Sequence, residues 1–542
     1  MDNLYNDKLP LGNIGYISGK FIIKNRKIYF FEWVEYIIKI KDNINNVEIF
    51  FGDEKAQKIE NIFRFTFKNY VGKSIIKIYR NQELIFEKPI EVVSEKFANM
   101  YKTSDDYVET IINNYEIFIS SLISEISKKY LELPFSIKSP TGFEFIESDK
   151  SISEFFAYHF LKNNKEKIIS SYEEILKNPH RKLIDKVEWA DYWEVNEISE
   201  ETIFGIIQHP EYLIKTFNPV ADKFNGYFPQ KLLQRKKYET FDTLENRFIK
   251  YFLNELIMWT EKTIEFLKSN FGNKKDDFIK EIINNLQELC SSLGCFRNNQ
   301  IFSDVGELDR FPYTSQVLLK RYGYKDLFEL WREFRTYYPI FTEIKKCIEN
   351  KDIAKLYEYW CFFKLVEELG NIFGIDELKI VVEPIGDSSE RSNVYAKFDN
   401  GWKLYFNKRL SPKKYSYSVS LRPDFSLFDE NNNLIGVFDA KFKFDIPKFK
   451  EFDEEEKAFE KTYDFKTWAK LEDIYKIHTY RDALKVRFAV VLYPGERSVF
   501  FDVDGGRIED FSLEKLLNED YCGVGYIRYL PEGSNYGKNC MD

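Results

Sequence analysis

Arg422-Pro423-Asp424 is followed, fifteen residues after Asp424, by Asp439-Ala440-Lys441. Carboxylates set in this way suit a hard cation, Mg²⁺ with Mn²⁺ as its substitute. Such an ion polarises a phosphoryl oxygen and lowers the pKa of a bound water. A lysine beside them adds the positive charge that phosphodiester hydrolysis needs near the nucleophile or the developing charge. On a strand, residues i and i+2 share a face, so Asp439 and Lys441 project together while Ala440 offers its backbone carbonyl as a further oxygen ligand. Asp429-Glu430-Asn431-Asn432-Asn433 supply turn residues for a hairpin that brings Asp424 alongside Asp439. The motif alone recurs by chance, and its context is more telling. Asp439 follows LIGVF and precedes FKF, so the charges sit in an apolar strand where they are costly unless paired. A strand whose charges face solvent at a sheet edge is the plain alternative.

A third carboxylate is expected from a helix preceding the strands. Glu358, in the aromatic-rich LYEYWCFFKLVEEL, is preferred, with Glu383 in KIVVEPI as the competitor and Glu367 and Glu368 read as a solvated face. Downstream, Lys476 and Tyr480 lie four apart in YKIHTYRDAL and share a helical face, with Arg481 beside them. Such groups would position a nucleic-acid backbone, although an ordinary amphipathic helix reads the same way. Between Gly401 and Pro423 stand six basic residues (Lys403, Lys408, Arg409, Lys413, Lys414, Arg422) and no acidic one, interleaved with aromatics. Basic charge leading into a metal site is what a DNA-backbone groove requires, and an exposed hairpin with solvated lysines is the duller reading.

These residues need elements to hold them. From about Gly12 to Ser94, short apolar or alternating runs broken by turn residues predict a β-rich domain, residues 1–100. Within it Gly72-Lys73-Ser74 resembles the end of a phosphate-binding loop, but the position that requires the first glycine is Phe67, so an NTP site is rejected. From Tyr107 the apolar period becomes helical, predicting a mainly helical middle domain, residues 101–350, with an irregular stretch from Asp185 to Glu197 and Thr243 or Asp242 as a helix cap. After Gly374 several strands, a helix and a further strand predict an α/β module, so the last domain is set at residues 351–542. The whole is a multidomain α+β chain.

Composition bounds the rest. The 542 residues carry 79 Lys and Arg against 88 Asp and Glu, a net charge of −9, which argues against a general nucleic-acid coat protein while leaving room for a local basic groove. The 51 Phe and 36 Tyr are spread along the chain and read as core filling. Six scattered cysteines fit reduced thiols rather than a disulfide framework or a zinc site. The N-terminus lacks a signal-peptide pattern and no uncharged apolar stretch approaches membrane-spanning length, so a cytoplasmic protein is expected, with no membrane partner.

The chain resembles the PD-(D/E)xK nucleases, and more narrowly the McrC-related, defence-associated nucleases found beside McrB-like GTPases. The resemblance rests on Thr243-Leu244-Glu245-Asn246-Arg247-Phe248, Ser315-Gln316-Val317 with Gly323-Tyr324 and Trp331, Tyr357-Glu358-x-Trp360, the Asp424 and Asp439-Ala440-Lys441 core, and His478-x-Tyr480-Arg481-Asp482. It implies a restriction-endonuclease-like C-terminal domain in which Asp424 and Asp439 resemble the metal-binding acids, Lys441 the catalytic lysine and Glu358 the acid of the first core helix. Lys476 stands where some related nucleases have Gln. The implied activity is Mg²⁺-dependent DNA cleavage in a prokaryotic restriction or antiphage system, with a separate AAA+ GTPase or ATPase as partner and a homo-oligomer compatible with the sequence. By the same analogy the β-rich domain would dock on the motor. The competing reading is a non-catalytic DNA-binding scaffold that stimulates a motor NTPase.

Overall fold

A computed structural model describes residues 6–41, 46–68, 70–99, 106–137, 152–271, 277–312, 314–336, 338–375, 378–384, 392–412, 414–442, 465–495, 498–509 and 511–532. The chain divides into two compact units, residues 1–153 together with 337–542, and residues 154–336.

The first unit holds two mixed sheets. Runs such as KIYFF and SIIKIYR alternate or cluster apolar residues over strand-length segments, and they build the N-terminal ten-stranded sheet. That sheet curls on itself. Phe51, near one end of the strand order, stacks on Phe65, near the other, with ring centroids 4.3 Å apart, over a core that includes Ile17, Phe30, Tyr36, Ile49 and Ile78. Gly72 has a structural use here. At φ +149 its backbone passes so close to the C-terminal part of the unit that a Cβ would lie 2.3 Å from the Lys351 carbonyl oxygen. Next to it, the Val71 carbonyl accepts the N–H of Ile353 at 3.1 Å, satisfying a donor at the start of the helix Ile353–Phe373. The near-match to a phosphate loop is therefore a packing contact.

The second ten-stranded sheet runs Phe135–Ile137, Leu378–Pro384, Ser392–Phe398, Lys403–Phe406, Phe425–Phe428, Leu434–Ala440, Phe488–Tyr493, Gly523–Arg528, Val499–Asp502, Gly506–Glu509. Its first strand follows the helix Tyr107–Glu132, so this helix, expected in the middle domain, belongs with the C-terminal sheet. Glu367 and Glu368 are not a solvated face. Glu367 accepts from Lys129 at 2.5 Å and Glu368 accepts from the Tyr529 hydroxyl.

The second unit packs the helices Glu154–Lys177, Leu244–Phe271, Asp277–Arg297 and Tyr324–Arg335. Thr243 caps the second of these, its hydroxyl accepting the N–H of Asn246 at 3.2 Å, while Asp242 instead forms a two-pronged pair with Arg247 at 2.7 Å on each prong. Asn246 receives the Tyr324 hydroxyl at 2.6 Å and donates to the carbonyls of His180 and Phe241, so the residues that carried the family resemblance in this region form a fold-organising network. The stretch expected to be irregular is a strand up to Asp191. Lys182–Asp191 pairs antiparallel with Lys231–Thr240, and both faces of the ribbon are so open near Lys182 that no burial period could show in the sequence. The described cysteines are all free, and no helix among the described residues is long and apolar enough to cross a membrane.

Burial against the helix Glu154–Lys177 pushes the Glu333 carboxyl up to about 7, with the Asn164 amide and Lys167 opposing. A carboxyl raised in the folded state stabilises below its unfolded value of about 4.3 and loses that contribution as pH rises through about 7. Glu333→Gln should therefore gain about 2–3 kcal/mol in urea unfolding at pH 8 and nothing at pH 4.5. An equal gain at both values would mean that the ionised carboxylate is not the cause.

Candidate active site

Asp424 and Asp439 meet through strand register. Phe425 pairs with Phe438, so continuing the antiparallel ladder by one residue sets Asp424 opposite Asp439. The turn residues close this hairpin as their types suggest. Asp429 accepts the N–H of Asn433 at 2.7 Å and its side-chain amide at 2.9 Å, with Asn432 in the left-handed region at φ 60. The helix Ile353–Phe373 covers one face of the sheet, Phe362 packing on Phe406 at 5.3 Å and Phe425 at 6.1 Å. The helix Phe465–Leu484 covers the other, where Ile474, Ile477 and Tyr480 join Val437, Ala489 and Val491 in one apolar cluster. Beyond Lys441 the chain is pinned by Phe442, whose ring lies 5.3 Å from Phe118 and 6.0 Å from Tyr357.

The polar groups converge where these elements end. Asp424 Oδ2 accepts the Ala440 N–H at 2.7 Å. Asp439 is 1 % exposed and lies between two ammonium groups, Lys441 Nζ 2.8 Å from Oδ2 and Lys476 Nζ 3.0 Å from Oδ1. Burial first, then the charges of Asp439 and Glu358, push Asp424 up to about 8. Glu358 is raised by burial, against the pull of the Asn407 amide and Lys441. Burial draws both lysines down, but the carboxylates of Asp439 and Asp424 outweigh it and hold each above its ordinary value. The result is a buried cluster of carboxyl groups whose charge is offset by its own two lysines.

Residues 355–498 match the family model of the PD-(D/E)XK nuclease superfamily. The chain carries a PD-(D/E)XK nuclease superfamily domain. Residues 62–331 match a second family model, described as a domain of unknown function (DUF2357), which reaches from the N-terminal sheet into the helical unit. No curated protein matches the chain.

In the nuclease domain the structure brings Glu358, Asp424, Asp439 and Lys441 into one electrostatic group. Glu383 stays apart on the strand Leu378–Pro384, separated from Phe425–Phe428 by the two strands Ser392–Phe398 and Lys403–Phe406, and accepts the Tyr395 hydroxyl at 3.1 Å. Ala440 enters through its N–H rather than only through its carbonyl. Among the described residues no three His, Cys, Asp or Glu side chains form a ready-made metal cage. The donor set still fits a small hard cation. Mg²⁺ retains several waters and needs only one or two carboxylates, and Asp439 Oδ2, buried and ion-paired with Lys441, has no aligned hydrogen-bond donor. Asp424 and Asp439 are the groups that could hold it.

The nucleic-acid candidates separate. Arg409, Lys414 and Arg422 are exposed, and Arg422 stands at the site's rim, its Nε donating to the Asn407 carbonyl at 3.0 Å. Lys408 does not face a groove. Its Nζ lies 3.3 Å from the Tyr405 ring centroid and 4.7 Å from that of Phe428, and burial, then Lys414 and Lys403, lower it to about 8. Tyr480 is a core residue, 4 % exposed, its hydroxyl donating to the Arg422 carbonyl at 3.4 Å. Arg481 turns to Cys522, 3.2 Å from its Sγ, and Lys476 turns into the carboxylate site rather than toward an outer phosphate. Lys413 and the acidic EFDEEEK stretch lie outside the described residues.

Asn407 was not anticipated from the sequence. It ends a strand in the left-handed region at φ 51, its side-chain amide donates to Glu358, and its N–H donates to the Asp424 carbonyl at 2.7 Å. The available signal was local: Asn after a strand tolerates this conformation better than other side-chain-bearing residues. Asn407→Gly keeps the backbone and loses the amide, whereas Asn407→Ala loses the amide and adds about 1–2 kcal/mol of left-handed strain. Both variants should lower cleavage alike while only the alanine unfolds at lower denaturant. Equal stability would remove the backbone part of this account.

Proposed function

We propose that this protein is a divalent-metal-dependent endonuclease that hydrolyses DNA phosphodiester bonds. The observation that carries the reading is the convergence of Glu358, Asp424, Asp439 and Lys441 at the end of one hairpin in a nuclease-superfamily domain. Asp424 and Asp439, with the Ala440 carbonyl, would hold Mg²⁺ or Mn²⁺, which when bound polarises the scissile phosphate and acidifies a water. Lys441 offsets negative charge at the phosphate, and Glu358, held by Asn407, keeps a carboxylate beside the attacking water. Arg422, exposed at the rim, supplies a charge-assisted contact to a flanking phosphate.

We further propose that the chain works in a restriction or antiphage system with a separate McrB-like AAA+ NTPase. The segments around Asn246, Ser315 and Tyr324 support this by their resemblance to McrC-related proteins, and Phe67 at the place of the loop's first glycine leaves this chain's single Gly-Lys-Ser without a phosphate cradle. The scaffold reading draws on one observation, that both carboxylate oxygens of Asp439 are engaged by lysines.

Supercoiled plasmid incubated with the purified protein and Mg²⁺ or Mn²⁺, with and without a motor partner, separates the two readings. Nicking or linearisation that stops with EDTA, and is lost in Asp439→Ala and Lys441→Ala, is the expected result. Undiminished cutting by either variant overturns the site assignment. Calorimetry showing no metal binding that depends on Asp424 and Asp439 would favour the scaffold.

A further inference from the structure

The second unit exposes apolar surface out of proportion to its size. Of the 27 exposed large apolar side chains among the described residues, fourteen fall between Leu183 and Tyr227. They belong to an arm made of the ribbon Lys182–Asp191 with Lys231–Thr240, the helix Glu200–Gln208 and the small hairpin Leu213–Lys215 with Tyr227–Pro229. The helix is turned inside out. Its inward face is small, Thr202 donating to the Leu233 carbonyl at 2.6 Å and Gly205 lying so near Leu233 that a Cβ would come within 2.9 Å of it. Its outward face carries Ile203, Phe204 and Ile207, 53 %, 58 % and 69 % exposed, with Trp193, Phe217 and Phe224 open on the same arm. Exposed apolar side chains concentrated on one arm in this way mark an interface.

Charge points to the occupant. Between Tyr192 and Tyr227 there are six acidic residues against two lysines, a net of −4. The two ribbon strands carry six basic residues against four acidic ones, a net of +2, and near Lys182 they also expose Leu183, Ile184 and Val187. The arm therefore has an acidic apolar tip and a basic apolar base. A two-stranded ribbon open on both faces near Lys182 is marginal alone. We propose that two copies of this chain associate through their arms, antiparallel, so that each tip lies on the other's ribbon. That arrangement is isologous, matches opposite charges twice, and covers the apolar side chains of both arms. Roughly twenty to thirty residues a side make a stable interface, and the arm supplies a surface of that order.

Sedimentation equilibrium of the full-length protein at about 1–50 µM tests the proposal. The expected mass is twice the 64.9 kDa of the chain. Phe204→Asp with Ile207→Asp, both at exposed positions, should give a monomer whose thermal unfolding matches the parent. Glu197→Lys with Glu200→Lys should weaken association at least tenfold, and adding Lys182→Glu with Lys237→Glu should restore it. A parent that stays monomeric across this range overturns the proposal, as does a dimer untouched by the aspartates. Failure of the charge reversal to restore association overturns the tip-to-ribbon register. Plasmid cleavage is not the readout, so failure here leaves the nuclease reading standing.

Discussion

Asp424→Asn and Asp439→Asn should both reduce cleavage by on the order of 10³-fold or more, the several kcal/mol that a metal supplies, yet shift the stability of the metal-free protein in opposite directions. Asp424 is pushed up to about 8 by burial and then by its carboxylate neighbours. A carboxyl raised in the folded state is stabilising below its unfolded value of about 3.9 and loses that contribution as pH rises through about 8. Asparagine keeps an oxygen for the Ala440 N–H and removes the charge. In EDTA at pH 8 Asp424→Asn should gain on the order of 2–4 kcal/mol, and at pH 4 nothing. Asp439 sits instead between ammonium groups at 2.8 and 3.0 Å. Its amide leaves Lys441 and Lys476 facing each other without an anion. The full cost of breaking a buried pair is about 3–5 kcal/mol, and because both lysines are partly exposed about 2 kcal/mol is expected. Urea unfolding of both variants at pH 4 and pH 8 decides it, and destabilisation by both at pH 8 would refute this division of charge.

The two lysines on Asp439 should separate metal affinity from turnover. Lys476 and Lys441 each occupy an oxygen that a cation would otherwise use, so Lys476→Met and Lys441→Met each add one net negative charge to the site. Even strongly screened, that charge is worth about 1.4 kcal/mol, and Mn²⁺ titrated calorimetrically without nucleic acid should bind about tenfold tighter to either variant. Turnover then distinguishes them. Lys441→Met should lose about 10²–10³-fold in rate at saturating metal, as when a charge-stabilising group is deleted, whereas Lys476→Met keeps most of its rate at saturation and gains at limiting Mn²⁺. Weaker Mn²⁺ binding by Lys476→Met would show that this lysine holds Asp439 in place for the metal.

The hairpin that sets Asp424 opposite Asp439 was legible because its signals are local. Asp424, Asp439 and Lys441 stand out as charges inside apolar runs, the Asp429–Asn433 turn fixes their hairpin, and period-2 spacing sets Asp439 and Lys441 on one face. The helical setting favours Glu358 over Glu383, and the strand order sets Glu383 three strands away from Phe425–Phe428. Groups that reach the site by folding were harder to read. Lys476 and Tyr480 share a helical face in the sequence, but only packing against the sheet shows that one serves a carboxylate and the other fills the core. Lys408 carried the same charge as Arg409 in the linear basic run, and the rings of Tyr405, Tyr415 and Phe428, brought together by folding, made it a half-buried cation.

By itself, then, the sequence determined the hairpin that joins Asp424 to Asp439, the β-rich start and the helical character of much of the middle, because periodicity and turn chemistry act over a few residues. Tertiary structure alone decided which lysine meets which carboxylate, that Asn407 holds Glu358, that the helix Tyr107–Glu132 leads a strand into the C-terminal sheet, and that the stretch after Lys182 is an open ribbon. These depend on contacts between residues tens to hundreds of positions apart, which leave no period in the chain.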